Sequence, residues 1–392
     1  MKRKIILFAA LSLMLTSAYS QTGYNFTLVK DLPVTPVKDQ NRSGTCWCFS
    51  GLSFFESELL RMGKGEYNLS EMFVVRTSYE GKADQYVRMH GNVNFAGGGA
   101  FNDVTYTLEN YGIVPEEAYE GLNYDEEKHV HGELDAVLKS YMEGVITNRN
   151  RKLSTAWDDA LDGILDAYLG KYPDEFEYKG KKYNPESFLD ELELDMNDYV
   201  MVSSFTHHPF YESFILEVPD NWAWGEVYNV KIDELTNIID YSINNGYTVA
   251  WATDVSEKGF KWKEGLAVVP GESIEDISGL ERAKWDELSE EEKNKRIYDF
   301  SEIRPEKEIT QEMRQEAFDN YQTTDDHGMH ITGIAKDQKG NMYYKVKNSW
   351  GVEDHIYGGY LYASKAFVQY KTTSILVHKD GIPENLREKL GL

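Results

Sequence analysis
A chain of 392 residues, 41% hydrophobic and 13% aromatic, is long enough to bury a large core. Its 41 basic and 66 acidic residues give a formal net charge of −25, which argues against nucleic acid or an anionic membrane surface as a partner. The only cysteines, Cys46 and Cys48, are two positions apart; in a helix they point to different faces, so a disulfide between them is disfavoured. The chain opens with the basic Met1-Lys2-Arg3-Lys4, an apolar stretch from Ile5 to Leu15, and small residues before Gln21. This reads as a secretory signal peptide over 1–20, with an apolar core too short for an ordinary membrane span. The mature protein is therefore expected to be soluble and exported, periplasmic or extracellular, with no membrane attachment.

Tyr24 to Lys38 reads as extended, since Pro33 and Pro36 are incompatible with a helix interior. Next comes Asp39 to Gly51, DQNRSGTCWCFSG, and then Phe49, Leu52, Phe55, Leu59 and Met62 at helical spacing. A cysteine opening such a helix gains from unpaired N–H groups and the positive end of the dipole, both of which favour a thiolate. An acyl-transfer site also needs donors aimed at an oxyanion. The Cys46 backbone N–H and the Gln40 side-chain amide are candidates, and Ser43-Gly44-Thr45 lets the chain fold back so that both reach one point. Gln40, Ser43-Gly44, Cys46-Trp47 and Phe49-Ser50 resemble the oxyanion-hole glutamine and nucleophile segment of the papain-like cysteine peptidases. The resemblance implies that Cys46 is the nucleophile, Gln40 an oxyanion donor and Trp47 part of the substrate-binding surface.

Asn68 to Met72 opens a second helix, with a family-like Leu-Ser-Glu. In Asn94 to Gly99 the resemblance makes Gly98 and Gly99 the pair that meets the substrate backbone; a helix from Phe101 to Tyr111 follows. Residues 116–245 are longer than a minimal papain needs and carry helical patterns at Leu134–Met142 and Leu153–Leu169. Within them, His129 with His131 and His207 with His208 lack companion cysteines or a carboxylate at ligand spacing, so surface or packing roles are expected and no metal. Gly246 to Val255 reads as a buried strand, and the charged stretch 281–312 as a solvated helical excursion.

The base comes late in the chain. Asp326-His327-Gly328-Met329, then Asn348-Ser349-Trp350-Gly351 and Tyr357-Gly358-Gly359-Tyr360, is similar to the papain-like pattern. A histidine beside the thiol must take its proton and return it to the leaving amine, and a third group must hold the ring. His327, Asn348 and Trp350 match these places as base, orienting amide and aromatic cover. His330, three residues on, should face the opposite side of the strand.

The resemblance is closest to the bleomycin hydrolase and aminopeptidase C branch. It implies an α+β, two-lobed fold: a helical lobe over about 39–115, a helical insertion over about 116–245, a β-rich lobe over about 246–378 and a short tail over 379–392. It also implies peptide substrates, no cofactor and a homo-oligomer, which is a hexamer in that branch. The chain departs from the branch in its leader and in its short C-terminus, because there the C-terminal end lies in the cleft and restricts the enzyme to substrate N-termini. An endopeptidase of broader specificity is therefore the alternative. A non-catalytic peptide-binding or assembly protein on the same fold is the alternative of another class, although every group the chemistry requires is present.

Overall fold
The computed structural model describes residues 23–150, 152–271 and 284–392; the expected leader over 1–20 lies outside them. Helix α1, Cys46–Arg61, is buried on nearly all sides from Trp47 to Leu59. A helix apolar around its circumference belongs in a core, and α1 lies between two layers. On one side pack α2 (Glu71–Arg88) and α3 (Phe101–Tyr111), sharing Leu52, Phe55, Met72, Val104 and Leu108. The Ser70 hydroxyl caps α2 by accepting from Phe73 N–H. On the other side is a mixed sheet, which α1 meets mainly at β10 (His327–Lys336) and β7 (Val249–Thr253).

The centre of that sheet runs β4 (Tyr199–Ser203), β13 (Thr372–His378), β7, β10, β11 (Met342–Lys347) and β12 (Tyr360–Ser364). All these neighbours are antiparallel. The extended N-terminal segment provides β1 (Thr27–Asp31), which pairs antiparallel with β10. It then crosses between the layers, where Lys38 Nζ reaches Glu71 Oε1 at 2.6 Å and Glu56 Oε1 at 3.2 Å. From β11, Lys347 Nζ donates to Thr35 Oγ1 and to Ser53 Oγ of α1. These buried groups satisfy one another across the lobe boundary, as buried polar groups must.

The middle region differs from the expectation of a helical insertion. Helices α4 (Gly132–Ile146), α5 (Ala156–Leu169) and α6 (Pro185–Leu192) do cover the helical lobe. From Tyr199, however, the chain joins the sheet. β4 pairs with β13, and β6 (Glu226–Asn229) with β5 (Ser213–Ile215) extends the same sheet. Tyr-Val-Met-Val-Ser is a short apolar, β-rich run suited to a buried strand, and β13 offers it a free edge. Helix α7, Ile232–Asn244, then covers the sheet with Leu235, Ile238, Ile239 and Ile243.

The C-terminal helix Glu384–Leu390 belongs to this second core. It buries Leu386 and Leu390 in the cluster that contains α7, and Lys389 Nζ reaches Glu234 Oε1 at 2.8 Å.

Candidate active site
Between the two lobes lies a cleft of about 280 Å³, lined by Gln40, Cys46, Trp47, Gly98, Gly99, His327, Gly328 and Trp350, among others. It brings together all the site residues expected from the sequence except Asn348, which stands directly behind His327.

Cys46 is the first residue of α1, and no side chain caps the preceding Thr45. The N–H groups of Cys48 and Phe49 donate to Thr45 O, which leaves those of Cys46 and Trp47 as the open donors of the first turn. The backbone N–H groups of Trp47 and Gly328 both favour charge on the sulfur. Gly328 is the point of closest approach: a Cβ there would lie 2.7 Å from Ser50 Oγ and 3.1 Å from Trp47 Cα. Only glycine lets β10 come this near to α1.

His327 Nε2 and Asn348 Oδ1 are 2.7 Å apart. The same Oδ1 accepts from Ser349 N–H at 2.8 Å. A backbone N–H can only donate, so this atom is the amide oxygen and the imidazole must donate to it from Nε2. Neutral His327 then carries its lone pair on Nδ1. Trp350 covers the ring, with centroids 4.6 Å apart, as expected.

Burial opposes either charge taken singly. It pushes the Cys46 thiol up to about 12 and His327 down to about 4, with Asn348 partly offsetting the latter. Moving the proton from sulfur to imidazole creates both charges together, and each then supports the other.

Gln40 is held at both ends by Ser349. Its backbone N–H donates to Ser349 O at 2.8 Å, and its Oε1 accepts from Ser349 Oγ at 2.6 Å. That fixes the amide with its oxygen engaged and its NH₂ without a hydrogen-bond partner among the described residues. Sequence reasoning gave Ser349 no role; the signal was its place between Asn348 and Trp350. The loop after Gln40 is tied to the middle region by Arg42 N–H to His129 O and His131 N–H to Arg42 O, both 3.0 Å.

The glycine run serves packing as well as the cleft. Trp47 Nε1 donates to Gly97 O at 3.0 Å, and Lys82 Nζ bonds Ala96 O and Gly98 O from behind. A Cβ at Gly98 would strike the Asp220 carboxylate, and one at Gly99 would lie 2.8 Å from the Trp47 ring. These glycines thus admit Trp47 and Asp220 as well as opening on the cleft. Trp47 itself is only 3% exposed, so it forms a wall, with its one donor already used.

His330 lies under α1, its Nδ1 3.0 Å from Ser53 Oγ. It shares with Gly328 the α1-facing side of the strand, so it is separated from the Asn348 pairing. His129 and His131 are buried side by side, 5.7 Å between ring centroids, and burial pushes both down to about 4.

His207 and His208 do have a carboxylate, which their sequence spacing did not reveal. Glu217 accepts from or pairs with their Nε2 atoms at 3.0 and 2.8 Å, close enough for a three-donor cation site. The contact on the far side of the His207 ring speaks against a metal there. Gln315 Oε1 accepts from Thr206 N–H, so its NH₂ is what faces His207 Nδ1 at 3.0 Å. Nδ1 is then the acceptor and Nε2 carries the proton, the opposite of what a ligand at Nε2 needs.

Comparison with known proteins agrees with this geometry. The Peptidase C1-like family profile matches residues 7–277 and 288–391. Aminopeptidase C of Lactococcus lactis subsp. lactis (strain IL1403) is 24% identical over 391 residues, covering 90% of this chain and 83% of that protein. Aminopeptidase C of Listeria monocytogenes serovar 1/2a is 23% identical over 394 residues, covering 90% and 82%. The crystal structure of PepW from Lactobacillus rhamnosis HN001 superposes with a TM-score of 0.68 at 18% identity, covering 93% of this chain and 84% of that one. This last likeness establishes the papain-like fold.

Proposed function
The chain belongs to the Peptidase C1-like family and is a papain-like cysteine peptidase, and from that footing we propose that it is an exported, aminopeptidase C-like enzyme working through a thioester on Cys46. The observation that carries the assignment is the His327 Nε2–Asn348 Oδ1 bond of 2.7 Å, which leaves a basic Nδ1 in the cleft that Cys46 also lines.

In this reading His327 Nδ1 takes the Cys46 proton, and the sulfur attacks the scissile carbonyl carbon. The carbonyl oxygen gains the charge, and the Cys46 N–H and Gln40 NH₂ receive it. The imidazolium protonates the leaving amine, the C–N bond breaks, and a thioester remains. Water, deprotonated by the same Nδ1, attacks that thioester; the acid departs and the thiol is restored. Asn348 keeps the ring in the useful tautomer, and Trp350 shields their bond from water.

The aminopeptidase part rests on the names of the relatives. A broader endopeptidase is the second reading, favoured by the C-terminal helix lying on α7 rather than in the cleft. Paired assays with free and Nα-acetylated peptide amides decide between them: comparable turnover of both would sink the aminopeptidase reading. Export rests on the leader over 1–20; full-length protein recovered from cytosol with that segment attached would refute it. A homo-oligomer is proposed from the resemblance, and a monomer on analytical ultracentrifugation would exclude it.

A further inference from the structure
One wall of the cleft is built by residues that the mechanism does not use. Leu216, Val218 and Asp220 come from the segment after β5, Ala252 from β7, Asp325 from the turn before β10 and Ser374 from β13. Two of these side chains are carboxylates, and both are only part-exposed.

Asp220 is placed by the fold rather than left loose. Asn94 Nδ2 donates to its Oδ1 at 2.7 Å, and the absence of a side chain at Gly98 admits the carboxylate. Its segment is pinned by Asn221 Nδ2, which donates to Leu216 O and Gly225 O, both at 2.9 Å. Trp222 Nε1 anchors the far end on the buried Asp103 at 2.8 Å. Asp325 approaches from the β-rich lobe, where Thr373 Oγ1 donates to its Oδ1 at 3.3 Å.

Neither carboxylate has a Lys or Arg partner at ion-pair distance among the described residues. Lys82, the cation whose charge Asp220 feels, gives its bonds to the carbonyls of Ala96 and Gly98. Burial, and then Asp220, push Asp325 up to about 7, as expected of an acid that lacks a counter-charge. A cation arriving in this cleft would meet two acceptors whose positions are already fixed. The Glu384–Leu390 helix is packed with α7 and contributes no residue to the lining of this cleft.

We propose that Asp220 and Asp325 bind a cationic amine of the substrate, chiefly its free α-ammonium, and so select peptide N-termini from within the cleft. This rests on the peptidase reading above. It assigns the selection to side chains of the two lobes instead of to the chain's own end. A Lys or Arg side chain on an N-blocked substrate offers the same chemistry and is a separate arm of the test.

The experiment uses the full chain with fluorogenic amides. Ala and Gly-Ala amides are compared with their Nα-acetyl forms, and acetyl-Lys-Ala with acetyl-norleucyl-Ala amide. The expected result is a kcat/KM preference for the free amines of at least about tenfold, falling by about tenfold or more in Asp220→Asn and in Asp325→Asn. The change should lie mainly in KM. A preference confined to the lysyl substrate, and lost in the same variants, supports the cation site and moves the cation to the side chain. Ratios equal in wild type and both variants overturn the proposal. Protection of Cys46 from iodoacetamide by Gly-Ala amide reads the same preference without turnover. Unmodified protein whose Cys46 reacts with iodoacetamide but which cleaves none of these amides overturns the peptidase reading itself, a result separable from equal ratios.

Discussion
Ser349→Ala isolates the orientation of the oxyanion donor. The hydroxyl makes one bond to Gln40 Oε1, at 2.6 Å, while the backbone bond of 2.8 Å between the same residues survives the substitution. One hydrogen bond is worth about 0.5–1.5 kcal/mol net. If all of it serves to hold the amide, the released rotamer costs about 2- to 12-fold in kcat, at 1.36 kcal/mol per decade. Removing the donor itself, in Gln40→Ala, should cost about 10²- to 10³-fold. KM should hardly move in either variant, because the ground-state carbonyl demands less of the donor. The assay is steady-state hydrolysis of a fluorogenic peptide amide by both single variants and the double variant. Since Ser349 is argued to act only through Gln40, the double variant should be no slower than Gln40→Ala. Losses that multiply in the double variant would refute the reasoning and place Ser349 in some other role.

Cys46→Ala should abolish turnover and labelling by a thiol-directed peptide inhibitor, whereas Cys48→Ala should keep both, because Cys48 is fully buried with its sulfur 3.3 Å from Glu71 O; labelling that depends on Cys48 would reverse the assignment. His327→Ala should lower kcat by orders of magnitude, Asn348→Ala less, and His330→Gln little, and equal losses at the two histidines would leave the base unassigned. Burial holds His131 down at about 4, so its stabilising effect is complete above the unfolded value near 6.5 and is lost as pH falls towards 4. At pH 5 the loss is about 2 kcal/mol, so His131→Phe should gain stability relative to wild type between pH 7 and pH 5 in urea titrations; a pH-independent difference would count against this. Deleting Glu384 to Leu392 removes Leu386 and Leu390 from the core they share with α7, each worth about 1.5–3 kcal/mol when buried, and uncovers the face they packed on. It should lower the melting temperature and leave the preference between free and acetylated amides as it was, and a relaxed preference would mean that the tail acts on the cleft.

Residues whose chemistry is set by near neighbours were legible in the sequence. Gln40, Cys46, His327 and Asn348 stand in short motifs with distinctive spacing; the first three line the cleft, and Asn348 holds His327 from behind. Helix α3 begins and ends where its pattern does, because Tyr111-Gly112 is a local stop signal. The strands at Tyr199–Ser203 and Glu226–Asn229 were hidden for the opposite reason. They are too short to show a period; the edge of β13, far along the chain, makes the first a strand, and the first together with β5 makes the second one. Asp220 was equally opaque: an acidic residue in a polar stretch looks solvated until Gly98 and Asn94 are seen to hold it in the cleft. The pairing of Glu217 with His207 and His208 depends on a turn that brings positions about ten residues apart into register.

The double tie between Gln40 and Ser349 spans 309 positions. During synthesis the thiol emerges early, while its proton acceptor, the acceptor's partner and the clasp on the oxyanion donor all arrive near the end. Contacts so distant in sequence form late, after the loop between them has closed. An unfinished or unfolded chain therefore carries a cysteine without its base, a silent enzyme, and this topology withholds proteolysis until the last strands are in place.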